Sequence, residues 1–260
     1  MIKGKEQAVV LSQEQLAEGI FSIWIKTKAA ETAVPGQFMS VYTEDKSRLL
    51  PRPISICEIN REEQALRMVY RVTGEHTGTK QFSLLGAGDK LPVMGPLGNG
   101  FPLERAAEKK AFLIGGGIGV PPILELAKQL DCEDKQIIAG YRDEHTFLRE
   151  SFAENGKLYI ATEDGSVGTK GNVLDAVREN SLEADIIYAC GPMPMLRAVK
   201  AYAGERGIEC YISLEERMAC GIGACLGCVC GSRDTDSHSN VKNKRICKDG
   251  PVFLAAEVEI

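Results

Sequence analysis

Three cysteines, Cys220, Cys225 and Cys228, stand at C-x4-C-x2-C, and a fourth, Cys247, follows after a loop. Thiolates grouped in this way hold soft metals, and this spacing matches the plant-type [2Fe–2S] cluster with its distant fourth ligand. Four sulfurs must converge on two irons, so the backbone has to wrap closely. Gly221, Gly223 and Gly227 permit the unusual φ values and close approach this needs, and their N–H groups can point at cluster sulfurs. Tetrahedral zinc is an alternative, but structural zinc sites pair one C-x2–4-C with a second pair or with histidines. Here the second half offers only Cys247 and a lone His238. A set of free thiols is the third reading, although cysteines separated by glycines in a polar loop do not look like core. Cys230 competes with Cys228 as a ligand, and the x2 spacing favours Cys228.

A second candidate for chemistry is the run from Gly115 through Gly116, Gly117 and Gly119 to Pro121-Pro122. It follows an apolar strand and opens a helical run, the context in which a glycine loop meets a pyrophosphate at a helix N-terminus. The string reads G-x-G-x-x-P rather than G-x-G-x-x-G, and a tight strand–helix turn would use the same glycines. Cys190-Gly191-Pro192 repeats the arrangement after a later strand. Two such loops at the carboxyl edge of one sheet suggest a dinucleotide lying across them, although Cys190 could equally be a small buried residue. Arg142 and Asp143 follow the next strand of the sheet, where an acid favours a free ribose 2′-hydroxyl and an arginine a 2′-phosphate. In the first half, Arg52-Pro53-Ile54-Ser55 combines a phosphate clamp with a hydroxyl able to bond a flavin ring, although a surface arginine on a strand would read the same.

The elements that must position these residues change character along the chain. Up to about residue 100, short alternating segments are separated by turn signals. Phe21, Ile23 and Ile25 alternate with Ser22, Trp24 and Lys26, and Leu66, Met68, Tyr70 and Val72 alternate with Arg67, Val69 and Arg71. This predicts a small antiparallel β-barrel. From about residue 108, apolar strands alternate with helical stretches, which predicts βαβ units and a doubly wound parallel sheet. After about residue 216 the periodicity is lost, and a metal centre is expected to organise the segment. The expected division is 1–102, 103–213 and 214–260.

Composition sets the outer limits. The chain has 260 residues, a net charge of −5, 44% apolar and 26% charged residues. A pI near 5.4 argues against nucleic acid or an anionic membrane surface as partner. The first residues lack the apolar core of a secretory signal, and the uncharged run 111–124 is too short and too rich in Gly and Pro to span a bilayer. A cytoplasmic, reducing location is therefore expected, where clustered cysteines serve metal or redox chemistry more often than disulfides.

The order of these strings resembles the ferredoxin–NADP reductase superfamily. With the cysteine segment appended, nearly the whole chain is similar to the electron-transfer subunits of NAD-dependent (class 1B) dihydroorotate dehydrogenases. RPIS, YRVTGEHT, GPLGNGFP, GGGIGVPP, CGPMPML and LEERMACGIGACLGCVC carry the likeness. The resemblance implies that Arg52, Pro53, Ile54 and Ser55 contact FAD, Arg52 through phosphate and Ser55 near the reactive edge. Val69, Tyr70 and Arg71 would flank the flavin, and Gly74, His76 and Thr77 would hold its pyrophosphate. There the sequence departs from the pattern: His76 replaces a glycine usual in relatives. Gly115, Gly116, Gly117, Gly119, Cys190, Gly191 and Pro192 would hold NAD⁺, and Cys220, Cys225, Cys228 and Cys247 the cluster. Glu215 and Glu216 would shape the flavin pocket or form a solvated edge.

The implied partner is an FMN-containing catalytic subunit, two of each forming a heterotetramer, with electrons passing from FMN through the cluster and FAD to NAD⁺ in pyrimidine synthesis. No side chain need act as acid or base. Sulfide dehydrogenase-like and NADH-dependent ferredoxin:NADP oxidoreductase subunits share the layout but tend to replace one cluster cysteine with Asp, whereas this chain keeps four. A redox sensor, the remaining reading, would need no nicotinamide site.

Overall fold

The computed structural model describes residues 4–45, 47–236 and 240–260. Six strands close an antiparallel barrel: β1 (Glu6–Ala17), β2 (Ile20–Lys26), β3 (Phe38–Val41), β4 (Arg52–Asn60), β5 (Ala65–Arg71) and β6 (Lys90–Leu97), in the order β1-β2-β5-β4-β3-β6. A short helix, α1 (Gly78–Phe82), lies between β5 and β6. Alternation decides the faces. Ile23, Ile25, Leu66, Met68 and Tyr70 fill the barrel, while Val69 points outward and packs against the second half of the chain. Ser22, expected to face water, is buried because Arg67 Nε donates to its hydroxyl at 2.8 Å, beneath the Arg67–Glu58 ion pair at 2.6 Å.

The second half is built on β7 (Lys110–Gly116), β8 (Asp134–Tyr141), β9 (Lys157–Thr162), β10 (Thr169–Lys170), β11 (Ile186–Cys190) and β12 (Glu209–Ser213). These strands are parallel, in the order β10-β9-β8-β7-β11-β12. Helices α2 (Pro121–Gln129) and α3 (Arg149–Ala153) cover one face with Leu113 and Ile137. Helices α4 (Val173–Glu179) and α5 (Met193–Arg206) cover the other with Phe112 and Ile114. Strands buried on both faces explain the unbroken apolar runs. Two local signals set helix ends: a capping box of Asn172 and Asp175 opens α4, and Gly207 in the left-handed region closes α5.

The cysteine segment supplies β13 (Val229–Ser232), β14 (Asn243–Arg245), β15 (Val252–Leu254) and β16 (Val258–Glu259). β14, β13 and β16 form a small sheet, whereas β15 leaves the segment and adds an antiparallel edge to β12. Met218, Cys228, Ile246, Cys247 and Phe253 share one core with α5 and with Phe38, Met94 and Leu97 of the barrel exterior. Among the described residues no helix is long and apolar enough to cross a membrane.

Candidate functional site

Two clefts flank the barrel, one where barrel, sheet and cysteine segment meet and one between barrel and sheet. The first, about 530 Å³, has Arg52, Pro53, Ile54 and Ser55 of β4 on one wall and Val69, Tyr70 and Arg71 of β5 beside them. Thr73, Thr77 and Thr79 form one end, and residues 213–218 close the opposite side. The ring of Tyr70 stays in the barrel, stacked on Phe21, and its hydroxyl donates to Gln13 at 2.8 Å. Thr77 caps α1 and donates to the Gly74 carbonyl at 2.7 Å, which builds the turn. A Cβ on Gly78 would come within 3.0 Å of the Arg52 guanidinium, so a missing side chain lets that charge reach the N-terminus of α1. Burial, and then the neighbouring Arg48, lower the Arg52 pKa. His76 is exposed and outside the cleft wall; its backbone carbonyl accepts a hydrogen bond from Arg48.

Glu215 and Glu216 both line this cleft. Glu215 is exposed to the cleft, yet the protein atoms crowded around its carboxyl push it up, and Arg71 opposes that shift.

The second cleft, about 580 Å³, lies at the carboxyl edge of the sheet, and Gly116, Gly117 and Pro192 form its floor. The glycines have separate tasks. A Cβ on Gly119 would come within 2.5 Å of the Cys190 carbonyl oxygen and of Gly191, and one on Gly116 within 2.5 Å of Met195 Sδ. These two let the loops pack on each other, whereas Gly117, with φ +54°, faces the cleft with Arg71 nearby. Arg71 lines both clefts. Cys190 is fully buried and on neither wall; burial first, then the charge of Glu215, push its thiol up. At the far end Asp143 accepts from the backbone N–H of His145 at 3.0 Å, and Glu18 and Glu163 add acids to the wall.

The four cysteines of the C-x4-C-x2-C…C pattern fall into two pairs. Cys225 stands beside Cys220, and Cys247 beside Cys228. Burial pushes the Cys220 thiol up, but N–H groups of Ile222, Cys225 and Ala224 outweigh it and bring it to about 7. The neighbouring Cys247 lowers the Cys228 thiol to about 6 against its burial. Gly223 N–H donates to Cys247 Sγ at 3.1 Å. Among the described residues no three His, Cys, Asp or Glu side chains gather around a single ion. Four thiols with N–H donors turned towards Cys220 and Cys247 fit the iron–sulfur group that the spacing predicts. His238 lies outside the described residues. Cys230 turns away, its thiol donating to the Lys244 carbonyl at 3.7 Å.

Sequence reasoning did not single out Arg245. It is buried, pairs with Asp249 at 2.9 Å and Asp236 at 3.4 Å, and reaches the Gly223 carbonyl at 3.5 Å, so it ties the first half of the cysteine loop to the second. The only signal was an arginine and an aspartate placed symmetrically about Cys247.

A flavin-type barrel, a nucleotide-type sheet and two clefts joined at Arg71 define a flavoprotein oxidoreductase of the ferredoxin–NADP reductase class, here with an iron–sulfur segment. The comparisons agree. Residues 215–259 match the iron–sulfur cluster binding domain of dihydroorotate dehydrogenase B, and residues 113–201 the oxidoreductase NAD-binding domain. The chain belongs to the family of dihydroorotate dehydrogenase B (NAD(+)) electron transfer subunits. It is 43% identical to the members from Bacillus cereus (strain B4264) and Geobacillus kaustophilus (strain HTA426), over 98% of this chain and of each relative. Among solved structures it is similar to a chain of the NADH-dependent reduced ferredoxin-NADP oxidoreductase, with TM-score 0.85 and 29% identity over 98% of this chain and 91% of that one. A ferredoxin NADP+ reductase from Neisseria gonorrhoeae shares the fold alone, with TM-score 0.65 and 14% identity over 82% of this chain and 94% of that one.

Proposed function

We propose that this chain carries electrons from the FMN of a dihydroorotate-oxidising partner subunit to NAD⁺, within a heterotetramer of two subunits of each kind in the cytoplasm. One observation carries the reading: the run leading into the cluster loop lines the first cleft, and the first cleft meets the second. Met218, just ahead of Cys220, lines the first cleft, and Arg71 joins that cleft to the second. When bound, an iron–sulfur cluster handles single electrons, nicotinamide a hydride, and FAD both. The division follows the chain: 1–102 for FAD, 103–213 for the nicotinamide nucleotide, 214–260 for the cluster.

In this reading Arg52 and the α1 turn of Gly74 and Thr77 hold the FAD pyrophosphate, and Ser55 orients the ring. Gly117 and the Gly191-Pro192 loop admit the nicotinamide nucleotide, while Gly115, Gly116 and Gly119 let the two loops pack closely. Cys190 supports them from beneath. The far wall carries Glu18, Asp143 and Glu163 beside Arg142 and His145, so NAD⁺ over NADP⁺ rests on the family likeness, and steady-state rates with the two nucleotides decide it. The cysteine loop exposes Cys225, Ile222 and Leu226, and faces the partner, since an electron must cross there.

Anaerobic iron and flavin analysis tests the assignment: two irons and one FAD per chain are expected, and zinc without flavin overturns it. Cys225→Ser is expected to abolish NADH formation from dihydroorotate in the reconstituted complex while NADH still bleaches the flavin. Undiminished NADH formation overturns the route.

A further inference from the structure

The outer face of β3 presents Phe38, Ser40 and, just past the strand, Tyr42. Phe38 forms part of the flavin cleft wall. Tyr42 lies on the cysteine-loop side, packed against the core that holds Cys228 and Cys247. Ser40 lies between them. It is 0% exposed, and its hydroxyl is the buried side-chain group that, among the described residues, finds no hydrogen-bond partner. A Cβ on Gly221 would come within 2.9 Å of Ser40 Oγ. The hydroxyl therefore rests against the residue next to Cys220, with no side chain between them. Buried hydroxyls in native proteins almost always have a partner. Here the missing acceptor belongs on the cysteine-loop side, where the loaded protein brings sulfur.

We propose that the Ser40 hydroxyl donates a hydrogen bond to a sulfur of the iron–sulfur group held at Cys220, and thereby raises the reduction potential of that group. The inference rests on the assignment of Cys220 as a ligand. Cys220 Sγ already takes N–H groups of its own loop, from Ile222 at 3.5 Å and Ala224 at 3.3 Å. Ser40 differs in coming from the barrel, so the domain that holds FAD also sets how readily the neighbouring centre accepts an electron. The sign follows from charge. Reduction adds negative charge to the sulfurs, and a donor stabilises the reduced form more than the oxidised one.

The test uses the full-length, cofactor-loaded chain with Ser40→Ala, and with Ser40→Thr and Ser40→Val, which match in volume and differ in the hydroxyl. Redox titration is followed by electron paramagnetic resonance for the cluster and by visible absorption for FAD. Ala and Val are expected to shift the cluster midpoint downward and leave FAD unmoved, while Thr stays near the parent. A cluster retained only by the hydroxyl-bearing chains is the same result in stronger form. Equal cluster midpoints in Thr and Val, or a shift confined to FAD, overturn the proposal. A parent chain without two irons overturns the ligand assignment instead, so the two failures are distinguishable.

Discussion

The three atoms nearest a Cβ on Gly119 are all backbone: the Cys190 carbonyl oxygen and the N and Cα of Gly191. No rotamer change can relieve a methyl group there. Gly119→Ala is expected to destabilise the protein by about 1–3 kcal/mol, the usual range for overpacking, and to raise the KM for NADH because the two loops must part. Thermal unfolding and steady-state kinetics check both. Arg71 is a different kind of residue, a cation shared by two clefts. Arg71→Ala should weaken nucleotide binding by about 10–100-fold, corresponding to one charge-assisted contact of about 1.5–3 kcal/mol; titration of NADH against the FAD-loaded chain reads it. Much at this scale was legible in the sequence, because cysteine spacing and glycine strings are chemical constraints written locally. For Cys190 the sequence left a nucleotide contact and a small buried residue both open, and Arg245 it did not mark at all. The first is drawn under the loop by packing, and the second acquires its partners only when the cysteine segment folds.

Helix α2 joins the two halves through one buried carboxylate. Glu125 accepts from the Ile59 N–H of β4 at 2.8 Å and from Gln129 at 2.5 Å, while Lys128 on the same helix pairs with Glu58. The helix was legible from its prolines and apolar run, but its role as a bracket was not, since a Glu inside an amphipathic helix ordinarily faces water. Burial raises the Glu125 carboxyl above the ordinary 4.5, with bonds to Gln129 and Ile59 opposing. The sign is therefore unfavourable to the charged form. The penalty is fully present above the folded-state pKa and is relieved as pH falls through it towards the unfolded value. Glu125→Gln keeps an acceptor for Ile59. It should equal or exceed the parent in stability at neutral pH and lose that advantage on acidification. Denaturant unfolding at a series of pH values checks this, and an advantage that grows towards low pH contradicts it.

At the scale of the molecule, the barrel and parallel sheet followed from period-two alternation and unbroken apolar strands. The route of the last segment did not, because β15 is short and its pairing with β12 is non-local. That pairing ties the cluster to the nucleotide-binding sheet. Anaerobic chelation of the metal should lower the melting temperature, since a group bound only by the folded state stabilises it. Hydrogen exchange should rise in β15 as well as around Cys220 to Cys228; a rise confined to the cysteine loop would show that the two are uncoupled.

The same strand has a consequence for how the protein is made. β12 leaves the ribosome well ahead of β15, with every cysteine of the cluster pattern between them in the chain. Throughout that interval the outer edge of β12 is open, and open edges pair with other chains. The sheet is finished only once the segment that takes up the metal has been synthesised and folded. Translation that outruns iron and sulfide delivery leaves nascent chains with that edge exposed, so soluble yield is expected to follow the supply of both.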